Sequence, residues 1–97
     1  PPPTIDQKAQ LMRDHFRVYV EHRSERAAVI EFRKRVSWYA KQMNPCWQLK
    51  QEMRLINSAV DFEDALARFL DWRHQRDEEI SRGHIAEEEL EPAISEQ

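Results

Sequence analysis

Residues 24–45 read SERAAVIEFRKRVSWYAKQMNP, and this stretch decides the fold class. Ser24 is a candidate N-cap, because its hydroxyl can accept a bond from a backbone N–H that the first helical turn leaves unpaired. Beyond it, Ala28, Phe32, Val36, Tyr39 and Met43 recur at steps of four, four, three and four. That spacing follows the helical period of ~3.6 residues and draws one apolar stripe. No glycine or proline interrupts it before Asn44-Pro45. The stretch predicts a helix over residues 25–42.

The same logic extends in both directions. Thr4 and Gln7 stand in capping-box register, and Ile5, Ala9, Met12, Phe16 and Tyr19 form an apolar stripe behind them, predicting a helix over 5–22. Past the turn, Asn44 reads as a cap and Pro45 as the first helical residue, where its missing N–H costs nothing. A third helix is expected from there to about Asn57, burying some of Trp47, Leu49, Met53 and Ile56. Asp61 and Asp64 read as the acidic start of a fourth helix, with a stripe of Phe62, Ala65 or Leu66, Phe69 and Trp72. Four such stripes bury one another in an all-α fold, a four-helix bundle of short antiparallel helices. After Trp72 the apolar pattern fades into Asp77-Glu78-Glu79 and Glu87-Glu88-Glu89. The division expected is a linker over 1–4, a helical domain over 5–79 and a mobile acidic tail over 80–97.

Composition supports helices over sheets. The chain of 97 residues holds one glycine, whereas hairpins and phosphate-cradling loops draw on several. With 40% hydrophobic and 34% charged residues it suits amphipathic helices with wet outer faces. No apolar run approaches the ~20 residues a membrane span needs. A single cysteine cannot close an internal disulfide, so a reducing, cytoplasmic setting is expected. Pro1-Pro2-Pro3 reads as a stiff linker cut from a longer protein.

The net charge of -3 conceals an asymmetry. Residues 13–54 carry ten Lys and Arg against five acids, whereas residues 61–97 carry four Arg against twelve acids. The positive half is centred on the second helix. At about 100° per residue, Lys34 and Lys41 point almost directly away from the stripe. Arg26 and Arg33 lie one heptad apart on one flank, Trp38 lies on the other, and Arg35 sits nearer the core on Trp38's side. Cations in a row attract phosphates of any sequence, and an exposed indole can stack on an unpaired base, as in RNA loops. A solvated helix face that does nothing further has the same composition.

Other chemistry is poorly represented. Cys46 has no histidine near it in sequence and reads as a packed thiol. His15, His22, His74 and His84 form no metal-ligand pattern, and His15 reads as a satisfied boundary residue. The chain by itself shows no catalytic constellation and is read as a binding domain, not an enzyme.

Residues 32–41, FRKRVSWYAK, resemble the C-terminal helical domain of bacterial tRNA-dihydrouridine synthases, which carries R-K-H-x-x-W-Y-x-K or a close relative there. His15-Phe16 and Tyr19 look like the family's preceding helix. Leu49 to Asn57 and Asp61 to Asp64 look like its next helix and the acidic helix start beyond that, so the resemblance covers roughly residues 10–72. Arg35 stands where the family usually has histidine, and Gln42-Met43-Asn44-Pro45 replaces a glycine-bearing turn. The resemblance implies a parent oxidoreductase that uses FMN and NADPH to reduce a uridine in tRNA. It places the chemistry in a TIM barrel outside this chain and gives the helical domain the task of gripping tRNA. On that reading Arg33, Lys34, Arg35 and Lys41 contact RNA, with Arg26 beside them; Trp38 either packs or stacks, and Tyr39, on the buried stripe, packs. The competing expectation is a helical protein–protein interaction module with no nucleic-acid role.

Overall fold

The computed structural model describes residues 1–83. They form four α-helices and no strand: α1 (Ile5–His22), α2 (Glu25–Ala40), α3 (Trp47–Met53) and α4 (Ala59–Ser81), with a single 3₁₀ turn, Lys41–Met43, after α2. The all-α bundle is the fold that the stripes predict.

The caps of the first two helices stand where local chemistry puts them. Thr4 Oγ1 accepts from Gln7 N at 3.1 Å while Thr4 N donates to Gln7 Oε1 at 2.8 Å, which closes the capping box. Ser24 Oγ accepts from Ala27 N at 2.9 Å. Each such cap stabilises its helix by about 1 kcal/mol.

The later boundaries differ from expectation, each for a local reason. α2 ends at Ala40, and Lys41, Gln42 and Met43 tighten into the 3₁₀ turn instead of completing the expected helix. Asn44 does not cap α3: it is extended, at φ -60° and ψ 143°, the conformation that a following proline imposes. Its Oδ1 instead accepts from the Cys46 thiol at 2.8 Å. Pro45, joined by a cis peptide bond, stays outside the helix, which begins at Trp47 and lasts seven residues instead of reaching Asn57. α4 starts two residues before Asp61, because Ser58 is the cap and accepts from Asp61 N at 3.0 Å. Asp61 Oδ2 reaches back to accept from Asn57 N at 2.9 Å. α4 then runs 23 residues, well past Trp72 and two beyond the expected domain limit at 79. It stops at Gly83, whose φ of 76° is a left-handed conformation that glycine adopts without strain. The rest of the expected acidic tail lies outside the described residues.

Phe16 from α1, Phe32 from α2 and Phe62 from α4 meet in the core. Phe16 and Phe62 stack with centroids 4.0 Å apart, and Phe32 sets its edge to both, at 5.1 and 5.6 Å. Around them are buried Ala9, Met12, Ala28, Val29, Val36, Ala40, Met43, Cys46, Leu49, Met53, Ile56, Ala65, Leu66, Phe69 and Leu70. Of the sequence-predicted stripe residues, Ile5, Tyr19, Tyr39, Trp47 and Trp72 are only half-buried. Burying each large side chain stabilises the fold by roughly 1.5–3 kcal/mol, and each aromatic pair adds about 1 kcal/mol.

Basic residues also hold the connections together. The carbonyls beyond the end of α2 would lack partners within the helix. Lys8 Nζ from α1 donates to Gln42 O at 2.6 Å, and Arg73 Nη1 from α4 donates to Met43 O at 2.8 Å. Cations suit the negative end of a helix, so these bonds serve both the carbonyls and the dipole. Glu25 Oε2 accepts from Ala59 N at 2.7 Å and ties the start of α2 to the start of α4.

Candidate nucleic-acid interface

The sequence-predicted site residues are Arg26, Arg33, Lys34, Arg35, Trp38 and Lys41. All six are exposed, all but Lys41 belong to α2, and Lys41 opens the 3₁₀ turn after it. They do not form one uniform surface, because two of them are already engaged, Arg33 across the tertiary structure and Arg35 within α2.

Arg33 is a clamp. Its Nε donates to Ile56 O at 2.7 Å and its Nη2 to Asn57 Oδ1 at 2.6 Å, fastening the middle of α2 to the connection between α3 and α4. A guanidinium has several donors in a fixed fork, which suits a bridge to two acceptors. Arg35 pairs with Glu31, one turn earlier on α2. The Arg35 hydrogen bond holds the Glu31 carboxyl below its ordinary value, and the Glu31 carboxylate in turn raises the Arg35 guanidinium. Each of these guanidiniums retains donors, but its position is set from within the protein.

Arg26, Lys34 and Lys41 remain. No ion pair or hydrogen bond among the described residues engages their charged ends. Arg26 lies in a cleft of about 560 Å3 shared with Ser24, Glu25, Ile30, Arg33 and Asn57. The Glu25 carboxylate and the engaged Arg33 make that flank poorly suited to an anion. Lys34 and Lys41 lie about one turn to either side of Trp38, which is 63% exposed. Trp38 sets its edge against Tyr39 at 5.0 Å and 85°. Tyr39 stacks on the buried Phe32 at 5.0 Å and 12°. Its hydroxyl lies 3.0 Å from His15 Nδ1, a hydrogen bond that joins α2 to α1. Burial raises the Tyr39 phenol above its ordinary value of 10.0. Tyr39 therefore anchors the platform from the core side, and Trp38 is its solvent face.

Lys8 and Leu11 are not among the site residues that the sequence predicts, yet both line the groove beside Trp38. A signal for Leu11 is present in the sequence: it lies off the α1 stripe, and in the structure it is 55% exposed, an apolar residue facing water.

The remaining chemistry-bearing residues are placed elsewhere. Cys46 is buried and packed in the core. His74 Nε2 meets Asp6 Oδ1 at 2.9 Å, joining α4 to α1. Among the described residues no group of three or more His, Cys, Asp and Glu could hold a metal ion, and no helix is long and apolar enough to cross a membrane. The chain matches no protein-family model, no curated protein sequence and no solved structure.

Proposed function

We propose that this chain is a tRNA-binding accessory domain of an FMN-dependent tRNA-dihydrouridine synthase, which grips tRNA for a catalytic TIM barrel lying outside it. The observation that carries the reading is the pair of unengaged ammonium groups, Lys34 and Lys41, on either side of an exposed Trp38. The FRKRVSWYAK motif gives that face its family context. FMN and NADPH belong to the barrel on this reading, and no residue of this chain is assigned to them. The domain contributes position: it holds RNA phosphates so that a uridine presented elsewhere meets the flavin.

Few phosphates are within reach of Lys34 and Lys41, so binding by the domain alone is weak and salt-dependent. Each phosphate neutralised steepens the fall of log affinity with log salt by about one unit of slope. The test is titration of labelled tRNA at two salt concentrations. Lys34→Glu with Lys41→Glu abolishes binding at low salt; undetectable binding by the unaltered domain, or binding that survives both substitutions, overturns the proposal.

A second reading, a protein-interaction module, draws on Leu55 and Val60, which are 74% and 68% exposed around the α3–α4 connection. Light scattering compares the unaltered chain with Leu55→Ser and Val60→Ser. Self-association that disappears in these variants, together with no tRNA binding, favours this second reading.

A further inference from the structure

α1 and the end of α2 enclose a groove of about 260 Å3 beside the basic face. Leu11, Met12, Trp38, Tyr39 and Met43 make its apolar walls, and Lys8 and His15 bring polar atoms to it. Among the described residues no carboxylate lines it, in a chain that carries 18 acids.

From this arrangement we infer that the groove is a nucleobase pocket, which takes one unpaired base of a bound RNA against the Trp38 indole. The inference rests on the RNA-binding reading above and deepens it by naming a contact to a base where that reading names only phosphates. Three features argue for a base over another flat apolar group. The indole is largely exposed, and the ring it packs against, Tyr39, is itself stacked on the buried Phe32, so the stacking surface rests on a core-anchored neighbour. Base–aromatic stacking tolerates any base, because every base has a π-face. Lys8 lines the groove on α1, and two more cations flank the indole along α2 and the turn after it. Lys34 and Lys41 lie one turn before and after Trp38, where the phosphates flanking a stacked base would run. Lys8 Nζ spends one donor on Gln42 O at 2.6 Å and, with three available, keeps two for a base carbonyl or a phosphate oxygen. An apolar protein side chain would use the walls and leave those cations unmatched.

A duplex keeps its bases stacked inside the helix and cannot enter the groove, although it meets the same lysines through its phosphates. That difference sets the experiment. Fluorescence anisotropy is measured with a labelled single-stranded RNA and with a duplex of the same length, for the unaltered domain, Trp38→Ala and Leu11→Glu. Trp38 and Leu11 are both exposed, so neither substitution opens the core.

Trp38→Ala is expected to weaken single-strand binding about tenfold and duplex binding far less. Leu11→Glu, which puts a carboxylate at the groove, is expected to follow the same pattern. If both RNAs lose affinity equally, or neither does, the base pocket is overturned and the phosphate-gripping role stands. If the unaltered domain binds neither RNA, both proposals fall.

Discussion

Arg33 gives the sharpest test of how this domain uses its cations, because the basic face read from the sequence and the structure assign it different work. Its Nε and Nη2 bind Ile56 O and Asn57 Oδ1 at 2.7 and 2.6 Å, and Asn57 N donates in turn to Asp61 at the start of α4. Hydrogen bonds from charged donors are worth roughly 1.5–3 kcal/mol each. The side chain is exposed, so solvent screening and the entropy of holding it still offset part of this. A net loss of about 1–2 kcal/mol is expected for Arg33→Ala. In a domain of this size about 1 kcal/mol shifts Tm by roughly 4–8 °C, so melting should fall by about 4–16 °C. Arg33→Lys keeps the charge but cannot span both acceptors, and should recover less than half of the loss. Circular dichroism melts give the stability, and tRNA titration well below the melting range gives the binding. Lys34→Ala, with no hydrogen bond or ion pair to lose, should stay within about 0.5 kcal/mol of the unaltered domain and weaken RNA binding instead. The clamp is refuted if Arg33→Ala melts within about 2 °C of the unaltered domain while its tRNA affinity drops as far as that of Lys34→Ala.

Phe62→Ala removes the ring stacked on Phe16 and edge-packed by Phe32, and should cost about 3–5 kcal/mol in urea unfolding. Ser58→Ala should cost about 1 kcal/mol by removing the α4 cap, whereas Asp61→Asn, which keeps an acceptor for Asn57 N, should cost less. Glu31 contributes an acid-sensitive term. Its folded carboxyl titrates below the ordinary 4.5 because of Arg35, so its stabilisation is present above the unfolded value and is lost as pH falls through the folded one. Tm should therefore drop less between neutral pH and about pH 3 in Glu31→Gln than in the unaltered domain; an equal drop would show that the pair adds nothing.

The helical class, the first two caps and most core residues of α1 and α2 were legible in the sequence because they depend on neighbours three or four residues apart, although Val29 and Ala40 are buried off the expected α2 stripe. Thr4 with Gln7, Ser24 with Ala27, and the stripe through Ala9, Met12 and Phe16 need no knowledge of distant residues. The start of α4 was nearly legible. Ser58 stands three residues before Asp61, but an acid at a helix start is as good a local marker as a capping hydroxyl. The pairing of Arg35 with Glu31 also lay within reach, at a helical spacing of four.

What the sequence by itself determined was therefore the set of helices and the outward placement of Lys34, Trp38 and Lys41, since both depend on periodicity alone. Apart from Arg35, which pairs within its own helix, only the tertiary structure decided which cations are available. Arg33 finds its acceptors 23 and 24 residues away, and Lys8 finds Gln42 O 34 residues away. The groove beside Trp38 exists only because α1 packs against the end of α2, and no local pattern in residues 32–41 encodes it. The physical reason is the same for each. A charge pattern shows where cations point along one helix, but acceptors on other elements, among them carbonyls left unpaired at chain reversals, determine whether Arg33 and Lys8 are spent.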